Sequence, residues 1–300
     1  MKENILLEMF KKLVLIRETE KEIARRYPEQ EMRCPVHLSL GQEASAVGVC
    51  AGLNAGDHVY ATHRGHAAYL ACGGNLKRLL AELYGKAVGC TGGRGGSMHI
   101  IDESAGFFGT SAIVGGTIPI AVGDAFAAKL DGSRRIVVVF FGDGAVEEGV
   151  FYESLNFASI HKLPVVFVCE NNGLATNSAS NIRESFGNIH KKGEAFAIKN
   201  RKVDGRDVLA VFNAFSGAKE NILRGNGPFL VECAVNRWAD HVGPNYKIDI
   251  ENCPVKKYRN FLLAEKLFSE TELAVLESSI KDELENAFYF AKESSFAETV

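Results

Sequence analysis

No stretch of the 300-residue chain approaches the ~20 consecutive apolar residues that a membrane-spanning helix needs. Charges begin at Lys2 and no uninterrupted apolar segment follows, so no secretory signal is expected. A large charge imbalance is lacking too. Net charge is −3 with both signs interspersed, which leaves no electrostatic case for binding nucleic acid. None of the seven cysteines forms a Cys-x-x-Cys pair, and the count is odd. That argues against a zinc site and a disulfide scaffold, and for a reducing, cytoplasmic setting. There is no internal repeat, low-complexity tract or clear domain boundary, so one domain is expected over residues 1–300. What is present is an apolar share of 46%, enough for a sizeable core.

Periodicity supplies the elements. Leu6, Met9, Phe10, Leu13, Val14, Ile16 and Ile23 recur at helical spacing and predict an amphipathic helix over 5–27. Further helices are expected over about 42–53, 75–84, 118–130, 147–161 and 208–223, and in a helical C-terminal extension, about 256–300. Strands are expected over 57–61, 135–141, 163–170, 201–203 and 228–235. Residues 85–116 are dense in glycine and of low periodicity. They also hold Met98, Phe107, Phe108 and Ile113, so they predict an ordered loop region around a site rather than a linker. Residues 177–200 read as a polar connection. Strands alternating with helices indicate an α/β fold, a mostly parallel sheet flanked by helices.

Gly142-Asp143-Gly144 closes one apolar strand and Asn171-Asn172 closes the next, with a helix between them. Ligands of open parallel sheets bind at the carboxyl ends of the strands. Asp143 offers a carboxylate and Asn172 an amide oxygen, hard donors suited to Mg²⁺, which keeps its other positions for water and phosphate oxygens. Glycine lets backbone N–H groups approach an anion. Gly144 and Ala145 are expected to start the helix after the turn, with their N–H groups facing a diphosphate. The unit predicts a site for a metal-bound diphosphate.

Gly142 through Gly149, then Glu153, Asn156, Leu163-Pro164 and Glu170-Asn171-Asn172, resemble the thiamine diphosphate motif. The chain looks most like the alpha subunit of the first component of 2-oxo acid dehydrogenases of the pyruvate, branched-chain or acetoin type. The resemblance covers about residues 1–258. It implies a thiamine diphosphate-binding fold, with thiamine diphosphate and Mg²⁺ as cofactors. It also implies decarboxylation of a small-molecule 2-oxo acid with transfer of the acyl unit. The backbone carbonyl of Leu174, where the family usually has Tyr, is implied as a third metal ligand. Arg64 matches an arginine used on the diphosphate, a task its fork of donors suits. His63 stands where the family usually has Tyr; an imidazole can also donate to phosphate, with a charge expected to depend on pH near neutrality. Ser111 to Gly116 resembles the segment receiving the aminopyrimidine ring. Ala112 would touch that ring through its backbone, and Val114 would wedge between the two rings or else pack in the core. His241 matches a histidine near the diphosphate that assists acyl transfer, and His37 one that faces the substrate. A lone histidine is as readily a core or surface residue; His66 and His99 are weaker candidates.

The resemblance implies a partner. Its catalytic glutamate sits on a beta subunit, and no second α/β domain is visible here to supply one. An assembly of two alpha and two beta chains is expected, with a lipoyl-bearing second component as a further partner. The serine common after the family histidine is absent, because Val242-Gly243-Pro244-Asn245-Tyr246-Lys247 follows His241. That departure keeps two alternatives open: acyl transfer to a non-lipoyl acceptor such as a sugar-linked carbonyl, and a non-catalytic assembly subunit.

Overall fold

The apolar strands read as continuous runs because both of their faces are buried. In the computed structural model, which describes residues 3–298, six strands form one parallel sheet, with the polar strand Lys199–Asp204 at an edge. Met1, Lys2, Thr299 and Val300, the ends of the expected domain, lie outside the described residues. The strands are β1 (His58–Thr62), β2 (Phe107–Ser111), β3 (Val137–Gly142), β4 (Val165–Asn171), β7 (Lys199–Asp204) and β8 (Phe229–Ala234), in the order β2-β1-β3-β4-β8-β7. β5 (Leu174–Ala175) and β6 (Ser178–Ala179) make a separate antiparallel ribbon.

Alternate strand residues feed two cores. Val138, Phe140, Val166, Val168 and Val231 face α1 (Glu3–Arg26), α2 (Glu43–Cys50), α3 (His66–Ala71) and α8 (Val208–Leu223). Val137, Val139, Phe141, Phe167 and Leu230 face α5 (Thr117–Leu130) and α6 (Gly149–Ile160). α4 (Leu76–Leu83) packs on α10 (Glu270–Glu293), which also lies on α1 beside α9 (Pro254–Ala264). α7 (Ser180–Arg183) is a single turn. Arg17 of α1 and Glu43 of α2 form a buried ion pair at 2.6 Å, and the same guanidinium lies 4.5 Å over the Trp238 ring.

Three expectations change. The glycine-dense region contains the edge strand β2, whose register on β1 shifts beside Gly109; five residues with a glycine at their centre are too few to show alternation. The residues after Gly142 do not begin an α-helix. Asp143–Glu147 is a 3₁₀ turn, and α6 starts at Gly149 after Glu148 takes extended geometry. Gly144 and Ala145 therefore present their amides from a turn rather than from the positive end of a long helix. The connection over 177–200 is less irregular than its composition suggests, holding β6, α7 and a 3₁₀ segment, Ile189–Phe196.

The strand order places the site. The chain runs from β1 outward to β2 and then returns past β1 to β3. The switch point lies between β1 and β3, and the crevice beyond their carboxyl ends is where such sheets take ligands.

Candidate active site

Five strand ends converge on that crevice. His63 and Arg64 follow β1, Ala112 and Val114 follow β2, and Gly142 to Ala145 close β3. Asn172 follows β4, and His241 sits beyond β8. With His37 and Leu174 they line one cavity of about 310 Å³. His66 and His99 do not join them. His66 is fully buried behind the wall, with Nε2 2.9 Å from Ser97 Oγ and Nδ1 3.3 Å from Glu20. His99 is exposed.

The Asn pair divides its work. Asn171 turns toward β8, donating to Glu232 at 2.9 Å and accepting from Gly173 N at 3.1 Å. Asn172 lines the cavity; its Nδ2 donates to Gln42 at 3.1 Å, and its Oδ1 accepts from Leu174 N at 3.0 Å. Those bonds orient the amide oxygen and bring the Leu174 backbone alongside it. Asp143 is 1% exposed, and its Oδ1 has no hydrogen-bond partner among the described residues. A buried carboxylate oxygen left unpartnered is costly unless something supplies positive charge. An orphaned hard donor beside Asn172 and Leu174 fits a small divalent cation.

The opposite wall is basic. Arg64, 7% exposed, donates to the carbonyls of Leu38 at 2.5 Å and His241 at 3.1 Å. It therefore staples three loops as well as lining the cavity, and it is no surface ion pair. Burial pulls its pKa down to about 10, helped by Arg237. The rings of His37, His63 and His241 meet edge to face at 4.8–5.4 Å between centroids. Burial and the Arg64 charge push His37 down to about 4 and His63 down to about 3, and lower His241 as well. The expectation that His63 changes charge near neutrality is thus corrected: it stays neutral well into the acid range. The backbone N–H of His37 donates to Ser97 Oγ at 3.2 Å. Its loop is set by Gly41, whose positive φ of +89° and closeness to Asn236 and Trp238 leave no room for a side chain.

Val114 is half-exposed at the cavity rim beside the exposed Ile113, which excludes core packing. Several residues escaped sequence reasoning. Gln42, Met98, Arg237 and Glu170 all line the cavity. Burial raises Glu170 to about 7, against the Ser45 hydroxyl bond that favours its charged form. Glu170 belongs to the motif itself, with no role read for it, and Gln42 lies five residues after His37; those positions are the signal that could have found them. Arg183 had no such signal; it lies forty positions from Asp143, to which it donates at 2.5 Å.

Similarity to known proteins converges on one description. The family model "Dehydrogenase E1 component" matches residues 11–299. The alpha subunit of acetoin:2,6-dichlorophenolindophenol oxidoreductase from Bacillus subtilis (strain 168) is 37% identical over 97% of this chain and 90% of its own. The alpha subunit of the pyruvate dehydrogenase E1 component from Porphyra purpurea is 37% identical over 96% of this chain and 89% of its own. The corresponding Rickettsia felis subunit is 33% identical over 96% and 91%.

Proposed function

The chain belongs to the dehydrogenase E1 component family and is of its alpha-subunit type; from that premise we propose that it holds Mg²⁺ and thiamine diphosphate for decarboxylation of a pyruvate-like 2-oxo acid with transfer of the acyl unit. The observation that carries this reading is the orphaned Asp143 oxygen beside Asn172 and Leu174, facing a wall of neutral imidazoles and guanidinium groups. Thiamine diphosphate, when bound, supplies the electron sink for the carbanion left by decarboxylation. Asp143, Asn172 and the Leu174 carbonyl would hold the cation. The Gly144 and Ala145 amides, His63, Arg64 and His241 would bind the diphosphate oxygens. Ala112 and Val114 would support the ring system, with Val114 presenting an apolar side chain to it. Burial and the Arg64 charge lower the pKa of both His37 and His241, which favours their neutral forms as hydrogen-bond donors or proton acceptors toward substrate and acyl group.

The site calls for a beta subunit. The cavity-lining carboxylates are Asp143 and Glu170. The first is committed to the cation, and the second is held by Ser45. The glutamate that activates the cofactor would come from the partner, in an assembly of two alpha and two beta chains. Exposed apolar side chains at the cavity rim, Ile113 and Val114, are in keeping with such a docking. A lipoyl-bearing component would take the acyl group. A non-lipoyl acceptor is the second reading. It is favoured by the tight loop after Trp238, which is closed by Asp240 N on Asn245 O at 3.0 Å. We take the chain as one diphosphate-binding domain. No helix among the described residues is long and apolar enough to cross a membrane, which is in keeping with a cytoplasmic enzyme.

Calorimetry tests the assignment. The chain should bind thiamine diphosphate only with Mg²⁺ present, and Asp143→Ala should weaken that binding at least a hundredfold. The chain alone should not turn over pyruvate with a ferricyanide acceptor until a beta chain is added. Unchanged affinity in the variant, or robust turnover by the isolated chain, would overturn the reading.

A further inference from the structure

Arg183 reaches from an exposed segment to Asp143 of the cavity wall and to Glu147 beside it. Its neighbours Asn181, Ile182 and Ser185 are exposed, yet its own side chain is only 10% exposed. Nε donates to Ser178 O at 3.0 Å, Nη2 to Asp143 Oδ2 at 2.5 Å, and Nη1 to Glu147. One guanidinium therefore serves two carboxylates, one almost fully buried. Gly144 lets the Leu174–Ala175 segment pack closely on the turn that carries Asp143. A Cβ there would lie 2.9 Å from the Ala175 Cβ and 3.9 Å from Arg183 Nη1.

We propose that Arg183 competes with a divalent cation for Asp143 and so makes this site select the metal–diphosphate chelate over the bare ion. The argument is one of charge, and it rests on the metal-diphosphate reading above. A doubly charged ion on Asp143 shares that carboxylate with the guanidinium, and the two repel strongly in a wall from which water is largely excluded. The bare ion must displace Arg183 and leave it with Glu147 alone. An ion that arrives with a diphosphate brings its own anionic charge, which neutralises both cations and offsets the displacement. Cation and diphosphate therefore bind cooperatively, each raising the affinity of the other by the same factor. The other cation that acts on Asp143 is consistent with this. Arg237 is a further cation of the cavity wall, tied to Thr176 O at 2.8 Å on the same segment. It adds to the repulsion of a bare ion.

The test uses the full chain and Mn²⁺ as the probe, with free Mn²⁺ read by electron paramagnetic resonance without and with thiamine diphosphate. Arg183→Gln should bind Mn²⁺ alone at least tenfold more tightly than the unmodified protein, and the coupling factor between Mn²⁺ and the diphosphate should fall at least tenfold. Arg183→Lys, which keeps the charge, should retain most of the coupling. Glu147→Gln, at a more exposed position, gives a shift of opposite sign: with the guanidinium left to Asp143 alone, affinity for bare Mn²⁺ should drop several-fold. A coupling factor within twofold of the unmodified protein in Arg183→Gln, or an unchanged bare-ion affinity in Glu147→Gln, overturns the proposal while leaving the site assignment intact. Failure of the unmodified protein to bind Mn²⁺ with thiamine diphosphate overturns both.

Discussion

Replacing Glu82 by glutamine should unfasten the glycine-dense loop, although it changes one atom. Glu82, on α4, is 1% exposed. Its Oε2 accepts from the backbone N–H of Thr91 at 2.8 Å and Gly93 at 2.9 Å; its Oε1 accepts from Gly95 at 2.7 Å and Gly96 at 3.1 Å. Four amides thus converge on one carboxylate, which explains why a segment with so many glycines is ordered. Glutamine keeps one acceptor oxygen, so two of the four donors would face an amide that also donates. Hydrogen bonds to a charged group contribute ~1.5–3 kcal/mol each, so the loss should be about 3–6 kcal/mol. Unfolding entropy of about 2.1 cal/mol/K per residue, applied to this chain length, converts that to a Tm drop of about 5–10 °C. The loop ends at Ser97, whose hydroxyl receives the His37 amide, and at Met98, which lines the cavity. Affinity for Mg²⁺ and thiamine diphosphate should fall with stability. Urea unfolding followed by circular dichroism measures the first effect and calorimetry the second. A loss below about 1 kcal/mol would refute the claim that this carboxylate organises the loop.

Two further outcomes are expected. His63→Tyr should flatten the acid side of the stability profile. With the folded pKa lowered to about 3 and an unfolded value near 6.5, the unfolded chain binds more protons between them, so stability is full above about pH 6.5 and is lost as pH falls. From pH 7 to pH 5 this one imidazole costs up to about 2 kcal/mol; denaturant unfolding at both values should show the variant losing that much less, and equal losses would sink the idea. Val114→Ala should change stability by less than about 0.5 kcal/mol, because the side chain is half-exposed. It should nonetheless lower cofactor affinity or turnover measurably, whereas a larger stability loss with intact binding would return Val114 to a packing role.

The limits of the sequence follow from the range of the interactions. Strands β3 and β4 and the helix α8 are legible because hydrophobic periodicity is local; α8 spans Val208–Leu223 as expected. The strand β2 is not, since Phe107–Ser111 becomes a strand by pairing with β1, almost fifty residues earlier. The 3₁₀ turn at Asp143–Glu147 is missed for a related reason: nothing in Ala145-Val146-Glu147 disfavours an α-helix, and tertiary context bends the chain there. Asp143 and Asn172 were visible as strand-end punctuation. Arg183 and Arg237 were not, because such residues come to the site only through the folded path of the chain.

The cluster of His37, His63 and His241 illustrates why counting ligand-capable atoms is not enough. Their nitrogens lie within 4.8 Å of one another, a spacing that invites a metal ion. Yet Arg64 opposes positive charge on all three, and Arg237 on His63 and His241. Burial is the larger reason that these rings resist a proton and the arginine field adds to it; that field acts twice as strongly against a dication. The same field attracts an anion, and neutral imidazoles can donate to it without first acquiring a proton. Across the cavity the polarity reverses: Asp143 and Asn172 offer oxygen to a cation. A ligand that carries a metal ion at one end of a phosphate group and oxygens at the other is complementary to both walls at once. Neither a free metal ion nor a simple anion is. The two-signed character of this cavity is therefore a stronger argument for a metal–diphosphate ligand than any single residue within it.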